Sequence, residues 1–417
     1  MILVKSFVFS LSVIYFTLLS CWIVTDANGL TRKLTASHNP GCAPEFCDSV
    51  KVLHVSAEGP NDTLHYLWDF THKPSILVAL TPASSHLLID WINFKDESAK
   101  KISFSEKSLY SFGIVLDKLW EYNDVDDTGF LDLKNTSSNY RREFGMQYFN
   151  WKIPSNFTVN NTDNVEFVVE ASSYSAPSNL TAVVNGSIRI MLSAFGFRDH
   201  SGELPHLLHS ANCTQVDLIL DKLKTDSNFT SSRFAVEVIL ASSDQNNSSA
   251  SLVSRKSLDD EHSPGVFTLV DLQTPVAPSG NGGYLQWRPV AYIAKERGLS
   301  NSTDTNSYGV LDIKNHTEQL NHTLLYSYYS ENLNNLLVQS TTVSFGLKED
   351  GFYKKTNYTS WTFMVGYGTP PNEDFSLLVI LVISIGLGLP ALLIIVAGIV
   401  MAVRRISQKK DDLFLNR

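Results

Sequence analysis

Along most of the chain apolar and polar residues alternate in short runs with a period of two. Runs rich in β-branched and aromatic residues fall at 50–55, 76–80, 165–170, 188–192, 234–240 and 342–347, each bounded by polar breaks. Such alternation puts one face of a segment on a core and the other in water, so these runs are predicted strands and the chain is predicted mostly β. Asn185-Gly186 tolerates the positive φ angles of a type I′ turn, so 180–184 and 187–192 are expected to pair as a hairpin around it. The polar stretch 242–251 and the Pro- and Gly-rich stretch 274–283 read as loops. Trp68, Trp91, Trp151, Trp287 and Trp361 each lie near strand-like residues and are expected in the core. No fixed-period repeat supports a propeller or solenoid.

Two stretches depart from the alternation because they are continuously apolar. The first follows Lys5, runs to Leu19 and turns polar at Thr25, Asp26 and Asn28; this is the pattern of a secretory signal peptide, expected over 1–27. The second, 375–403, contains no charged side chain and is long enough to cross about 30 Å of hydrocarbon as a helix rising ~1.5 Å per residue. Glu373 and Asp374 precede it, while Arg404, Arg405, Lys409 and Lys410 follow it. Positive residues stay on the cytosolic side, so 404–417 is the cytosolic tail and 28–374 the lumenal part of a single-pass type I protein. Segment 28–374 exceeds what one small sandwich needs, so one large or two abutting β-sandwich-type domains are expected, with an internal boundary near 196–212.

This topology changes how the composition reads. Asn-x-Ser/Thr acceptors stand at Asn61, Asn135, Asn156, Asn160, Asn179, Asn185, Asn212, Asn228, Asn246, Asn247, Asn301, Asn315, Asn321 and Asn357, all between the signal and the span. Each occupied site must be at the surface, so sugars would coat most of the lumenal domain. In an oxidising lumen two of Cys42, Cys47 and Cys213 should pair, by a tight bridge between the first two or a long one to the third, and one thiol is left over. The net charge of −9, with no basic patch in the lumenal part, argues against nucleic acid as a partner.

Motifs of catalysis are absent: no Gly-x-Ser-x-Gly elbow, no His-Glu-x-x-His, no phosphate loop and no dinucleotide fingerprint. No cofactor or metal ligand set is therefore predicted. The one acidic constellation is Asp259-Asp260-Glu261-His262. Clustered carboxylates can raise one another's pKa or act in pairs, as in glycosidases, but neighbours on an extended strand point to opposite faces, so a solvated acidic loop is the favoured reading. Within the span, Ser384, Gly388, Ala391, Ile395, Gly398 and Ala402 recur at four- and three-residue steps. Small residues on one helix face let another membrane helix approach closely, so this stripe is a candidate packing seam, and Pro390 is expected to disturb the helix within it.

Several strings are specific enough to compare with a known family. Thr63-Leu64-His65-Tyr66-Leu67-Trp68, the segment 257–267, Gln286-Trp287-Arg288-Pro289-Val290-Ala291-Tyr292, Ser360-Trp361 and Pro370-Pro371 resemble the glycosylated lysosomal membrane protein family, from the first strands to the span. The resemblance implies a lysosomal accessory subunit without catalysis of its own, bound to a major-facilitator transporter of dipeptides and shielding it from lumenal proteases. Family members carry a tyrosine-based sorting signal at the C-terminus, whereas 404–417 contains no tyrosine, so travel with the partner is the expected route to the lysosome. Two other classes stay open: a membrane-anchored hydrolase using Asp259, Asp260 and Glu261, and an adhesion or receptor ectodomain.

Overall fold

A computed structural model of the chain describes residues 30–94, 101–153, 163–176, 186–243, 248–259, 265–275, 281–373, 375 and 377–415. The signal peptide expected over 1–27 lies outside them. Leu30–Ser257 and Phe267–Asn372 form one compact unit, which runs through 196–212 without a break.

This unit is built from two antiparallel sheets. The first runs in the order Lys33–His38, Val52–Glu58, Asp62–Asp69, Ser75–Pro82, Tyr110–Asn123, Ser232–Ser242, Leu337–Phe345, Ser302–Asp312. Tyr110–Asn123 is longer than its neighbour Ser75–Pro82, and Arg141–Gly145 pairs with its remaining half. The second sheet runs Phe149–Lys152, Asn164–Tyr174, Ser187–Phe195, Cys213–Asp221, Tyr358–Tyr367. Gly283–Trp287 and Val290–Tyr292 share the far edge of Tyr358–Tyr367, and Gly265–Gln273 pairs beyond the former. Ser302–Asp312 pairs first with Val290–Tyr292 and then with Leu337–Phe345, so one strand passes from sheet to sheet and closes that edge of the sandwich.

The predicted strands at 50–55, 76–80, 165–170, 188–192, 234–240 and 342–347 all fall on observed ones, and their alternate residues meet between the sheets. Tyr66, Trp68, Val78, Phe112 and Ile114 from the first sheet face Phe167, Ile190, Leu218, Trp287 and Trp361 from the second. Trp68, Trp151, Trp287 and Trp361 are fully buried, each such side chain stabilising the fold by about 1.5–3 kcal/mol. Trp91 is buried in a different cluster, on the outer face of the first sheet.

That outer face is where periodicity misleads. Leu67, Leu77, Val115, Ile239 and Val338 would point to water in a simple sandwich, but they lie under Leu320, Leu324, Leu325 and Tyr328. These come from two short helices, His316–Leu320 and Leu324–Tyr329, which the sequence reading did not anticipate. Each is capped locally, Asn315 accepting from the Glu318 N–H and Thr323 from the Tyr326 N–H. Gly113 makes the contact possible: a Cβ there would stand 2.1 Å from Leu325 Cδ2 and 2.6 Å from the Ile76 carbonyl. Ser75–Pro82 is consequently buried on both faces, and its sequence is apolar almost throughout.

Of the hairpin expected around Asn185-Gly186, only the second strand can be followed. Residues 177–185 lie outside the described ones, but Ser187–Phe195 has both edges taken, by Asn164–Tyr174 on one side and Cys213–Asp221 on the other. A strand saturated on both edges leaves no hydrogen-bonding positions for a further partner. The bridge is the short one, Cys42–Cys47, and Cys213 is a free, buried thiol.

From Glu373 onward the described residues belong to a second unit. It holds one helical rod: Leu377–Ile383, a π-helical turn at Ser384–Gly388, and Leu389–Leu415. Val379–Ile406 is long and apolar enough to cross a membrane, and its most apolar stretch is not buried by protein. The π turn ends just before Pro390, which lacks the N–H for the carbonyl four residues back and crowds it. The wider turn absorbs that defect without breaking the rod. Ser384 and Gly388 of the candidate stripe lie in this π turn, and Ala391, Gly398 and Ala402 on the helix that follows.

Candidate functional site

Two of the strings that distinguish this sequence, those around Gln286 and Pro370-Pro371, meet at the end of the lumenal unit. Asp271, on Gly265–Gln273, accepts from Gln286 Nε2 at 2.9 Å and from Arg255 Nε at 2.6 Å. The same Gln286 Nε2 and Arg255 Nη2 both donate to the Pro371 carbonyl, each at 3.1 Å. Arg198 Nη2 donates to the Asn372 carbonyl at 2.8 Å. Three side chains thus hold 371–372, immediately before the apolar helix, against the domain. Nothing in local periodicity indicated this, because Gln286 and Pro371 are 85 positions apart.

None of the eight described sequon asparagines is buried. Asn61, Asn228, Asn315 and Asn357 are exposed, and Asn135, Asn212, Asn301 and Asn321 are half-buried. Asn61 stands in the turn between Val52–Glu58 and Asp62–Asp69, and Asn357 is the left-handed C-cap of Tyr353–Thr356 at φ 53°. Asn212 accepts from Arg32 Nε at 2.8 Å through Oδ1, which leaves Nδ2 for the glycosidic linkage. Asn156, Asn160, Asn179, Asn185, Asn246 and Asn247 lie outside the described residues. Of the acidic constellation, Asp259 is the last residue of Ser251–Asp259 and is buried, while Asp260, Glu261 and His262 lie outside the described residues.

A second polar centre escaped the sequence reading. Arg233 is 2% exposed and uses all five N–H donors. Nε bonds Asp124 Oδ2 at 2.8 Å. Nη1 bonds Asp350 Oδ1 at 2.8 Å and the Gly351 carbonyl at 2.9 Å. Nη2 bonds Asp127 Oδ1 at 2.7 Å and the Leu347 carbonyl at 2.8 Å. One guanidinium therefore ties the 124–127 loop to the 347–351 loop. Burial would raise the Asp124 carboxyl, but hydrogen bonds from Thr128, Gly129 and Arg233 outweigh it and hold it below its usual range.

Several buried groups bear on an acidic compartment. His65 is buried, and this pushes its imidazole down to about 4. Its ring nitrogens contact His54 Nε2 and Thr81 Oγ1, each at 3.1 Å, so it takes part in a chain of neutral donors and acceptors. Burial likewise brings His209, stacked on Phe195 at 3.6 Å, down to about 4. Asp69 moves the other way, up to about 6, as burial disfavours its charge. Burial also raises the Cys213 thiol, which keeps it protonated and unreactive.

The family model described as glycosylated lysosomal membrane protein matches residues 51–408, from the second strand of the first sheet to the end of the apolar helix. The chain belongs to this family. Among relatives, a glycosylated lysosomal membrane protein of Danio rerio is 30% identical over 90% of this chain and 89% of its own length. Glycosylated lysosomal membrane protein B of Xenopus laevis is 28% identical over 90% and 91%, and the Homo sapiens protein 27% over 84% and 83%. As a member of this family the chain is a glycoprotein of the lysosomal membrane, with a large β-rich domain and one C-terminal span. Its relatives carry the name of a membrane protein and not of an enzyme.

Proposed function

We propose that this chain is a non-catalytic accessory subunit of a major-facilitator transporter for dipeptides in the lysosomal membrane, which it stabilises and shields from lumenal proteases. The observation that carries the reading is the distribution of sugar acceptors: none of the eight described sequon asparagines is buried, and they occupy turns and loops along the whole sandwich. A partner with few sugars of its own gains protection by lying beside such a coat. Binding only the intact partner lowers the population open to cleavage, which is stabilisation by mass action. The span supplies the contact in the bilayer, where the small residues Ser384, Gly388, Ala391, Gly398 and Ala402 let a partner helix come close.

Affinity purification of the full chain in mild detergent tests the reading. A multi-span transporter should co-purify in stoichiometric amount, and Gly398→Leu, a position with open space around it, should release it. Recovery of the single-span chain alone, at unchanged yield, overturns the proposal.

A further inference from the structure

A cleft of about 360 Å³ opens on the lumenal unit, beside the middle of Tyr110–Asn123. A β-bulge creates its floor. Glu237 pairs with Lys118 and Val238 with Leu116, so Asp117 is the extra residue and turns out of the ladder. Its Oδ1 receives Lys73 Nζ at 2.5 Å. Its Oδ2 is buried and accepts no hydrogen bond, although the residue is 1% exposed. Lys118 Nζ stands 3.9 Å from that oxygen, beyond hydrogen-bonding distance and about right for one intervening oxygen. Gln147 Oε1, in the same wall, also accepts nothing.

The opposite wall is aromatic. Tyr148 is 36% exposed and meets Tyr174 edge to face, with centroids 6.1 Å apart. Tyr174 is backed by Phe149 at 4.6 Å, which holds the corner rigid. Among the described residues the charges lining the cleft balance, Lys73 and Lys118 against Asp117 and Glu143, so these give it no net charge with which to select an ion. Two unfilled acceptors, one cationic donor and an aromatic corner match a neutral ring with hydroxyl donors and an apolar face.

We infer that this cleft binds a neutral saccharide, with the ring's C–H face on Tyr148 and Tyr174 and its hydroxyls on Asp117 Oδ2, Gln147 Oε1 and Lys118 Nζ. One hydroxyl in the 3.9 Å gap donates to the carboxylate and accepts from the ammonium. The site is independent of the transporter reading, and neither result bears on the other. The sugar comes either from free oligosaccharide or from the protein's own N-glycans, and two preparations separate these sources.

Full-length protein in detergent, with native glycans or with glycans enzymatically trimmed, is titrated with diacetylchitobiose, mannobiose and, as a control, glycylglycine, using calorimetry and saturation-transfer NMR. Saturable disaccharide binding by either preparation supports the site, and binding by the trimmed one alone identifies the protein's own glycan as the occupant. Tyr148→Ala, at a half-exposed position, should keep the melting temperature and weaken binding roughly tenfold, while Tyr148→Phe should retain it. Absence of disaccharide binding in both preparations, binding of the dipeptide alone, or binding indifferent to Tyr148→Ala in a folded protein overturns the inference.

Discussion

Replacing Arg233 by Met should be the most damaging single change in the lumenal domain that leaves the hydrophobic core intact. The substitution keeps the bulk of the side chain and removes five donors, two of them to backbone carbonyls and three to carboxylates. Asp124 is left with its side chain 4% exposed and no cation, whereas Asp350 and Asp127 are 19% and 32% exposed and partly recover water. Removing one partner from a buried pair costs about 3–5 kcal/mol, most of it here from Asp124. At about 2 °C per kcal/mol for a domain of this size, the melting temperature should fall by about 6–10 °C. Arg233→Lys retains the charge but offers three donors in place of five and cannot span all three carboxylates, so it should lose about 2–3 kcal/mol. The sign of the pH dependence follows from Asp124, whose folded carboxyl lies below its usual 3.8. A depressed carboxylate contributes stability that is present above the unfolded pKa and is lost as pH falls through the folded one. The deficit of Arg233→Met should therefore persist at pH 5 and shrink below about pH 4. Thermal unfolding of the full chain in detergent, followed by tryptophan fluorescence at pH 7, 5 and 3, measures this. A melting temperature within about 1 °C of the unsubstituted protein at pH 7, or an equal deficit at pH 3, would refute the reasoning.

Four further outcomes are expected. His65 is neutral in the fold with a pKa near 4, so its contribution is present above 6.5 and is lost as pH falls to 4, about 1.4 kcal/mol per unit and about 3 kcal/mol in all; His65→Gln should flatten that slope in urea titrations at pH 7, 5.5 and 4.5, and an unchanged slope counts against it. Opening the Cys42–Cys47 bridge with Cys42→Ser plus Cys47→Ser removes a crosslink across a separation of 5 residues and should cost about 2 kcal/mol. In the unsubstituted protein maleimide should label Cys213 only after denaturation, and fast labelling of the native form would contradict its burial. Gly113→Ala puts a methyl against Leu325 and the Ile76 carbonyl, so it should destabilise by about 1–3 kcal/mol, and a neutral effect on melting would mean the helix layer is not seated as described.

Properties that depend on neighbouring residues were legible in the sequence. An unbroken apolar stretch with opposite charges at its ends defines a span and its direction, because the cost of placing charge and bare backbone in hydrocarbon is local. Two-residue alternation is local in the same sense, so the strands beginning near Val52, Ser75, Asn164, Ser187, Ser232 and Leu337 could be read directly. The hairpin at Asn185-Gly186 shows the limit: its turn chemistry is sound, yet the edges of Ser187–Phe195 go to strands further away. Alternation also implied a wetted outer face for the first sheet, which the 316–329 helices cover because Gly113 leaves them room. Only the tertiary structure could bring Arg233 to Asp124 and Asp350, 109 and 117 positions away, or Gln286 to Pro371. Ion pairs and clefts depend on which segments meet in space, and that is decided by the pairing of whole strands and the closing of one core, which no single window of sequence encodes.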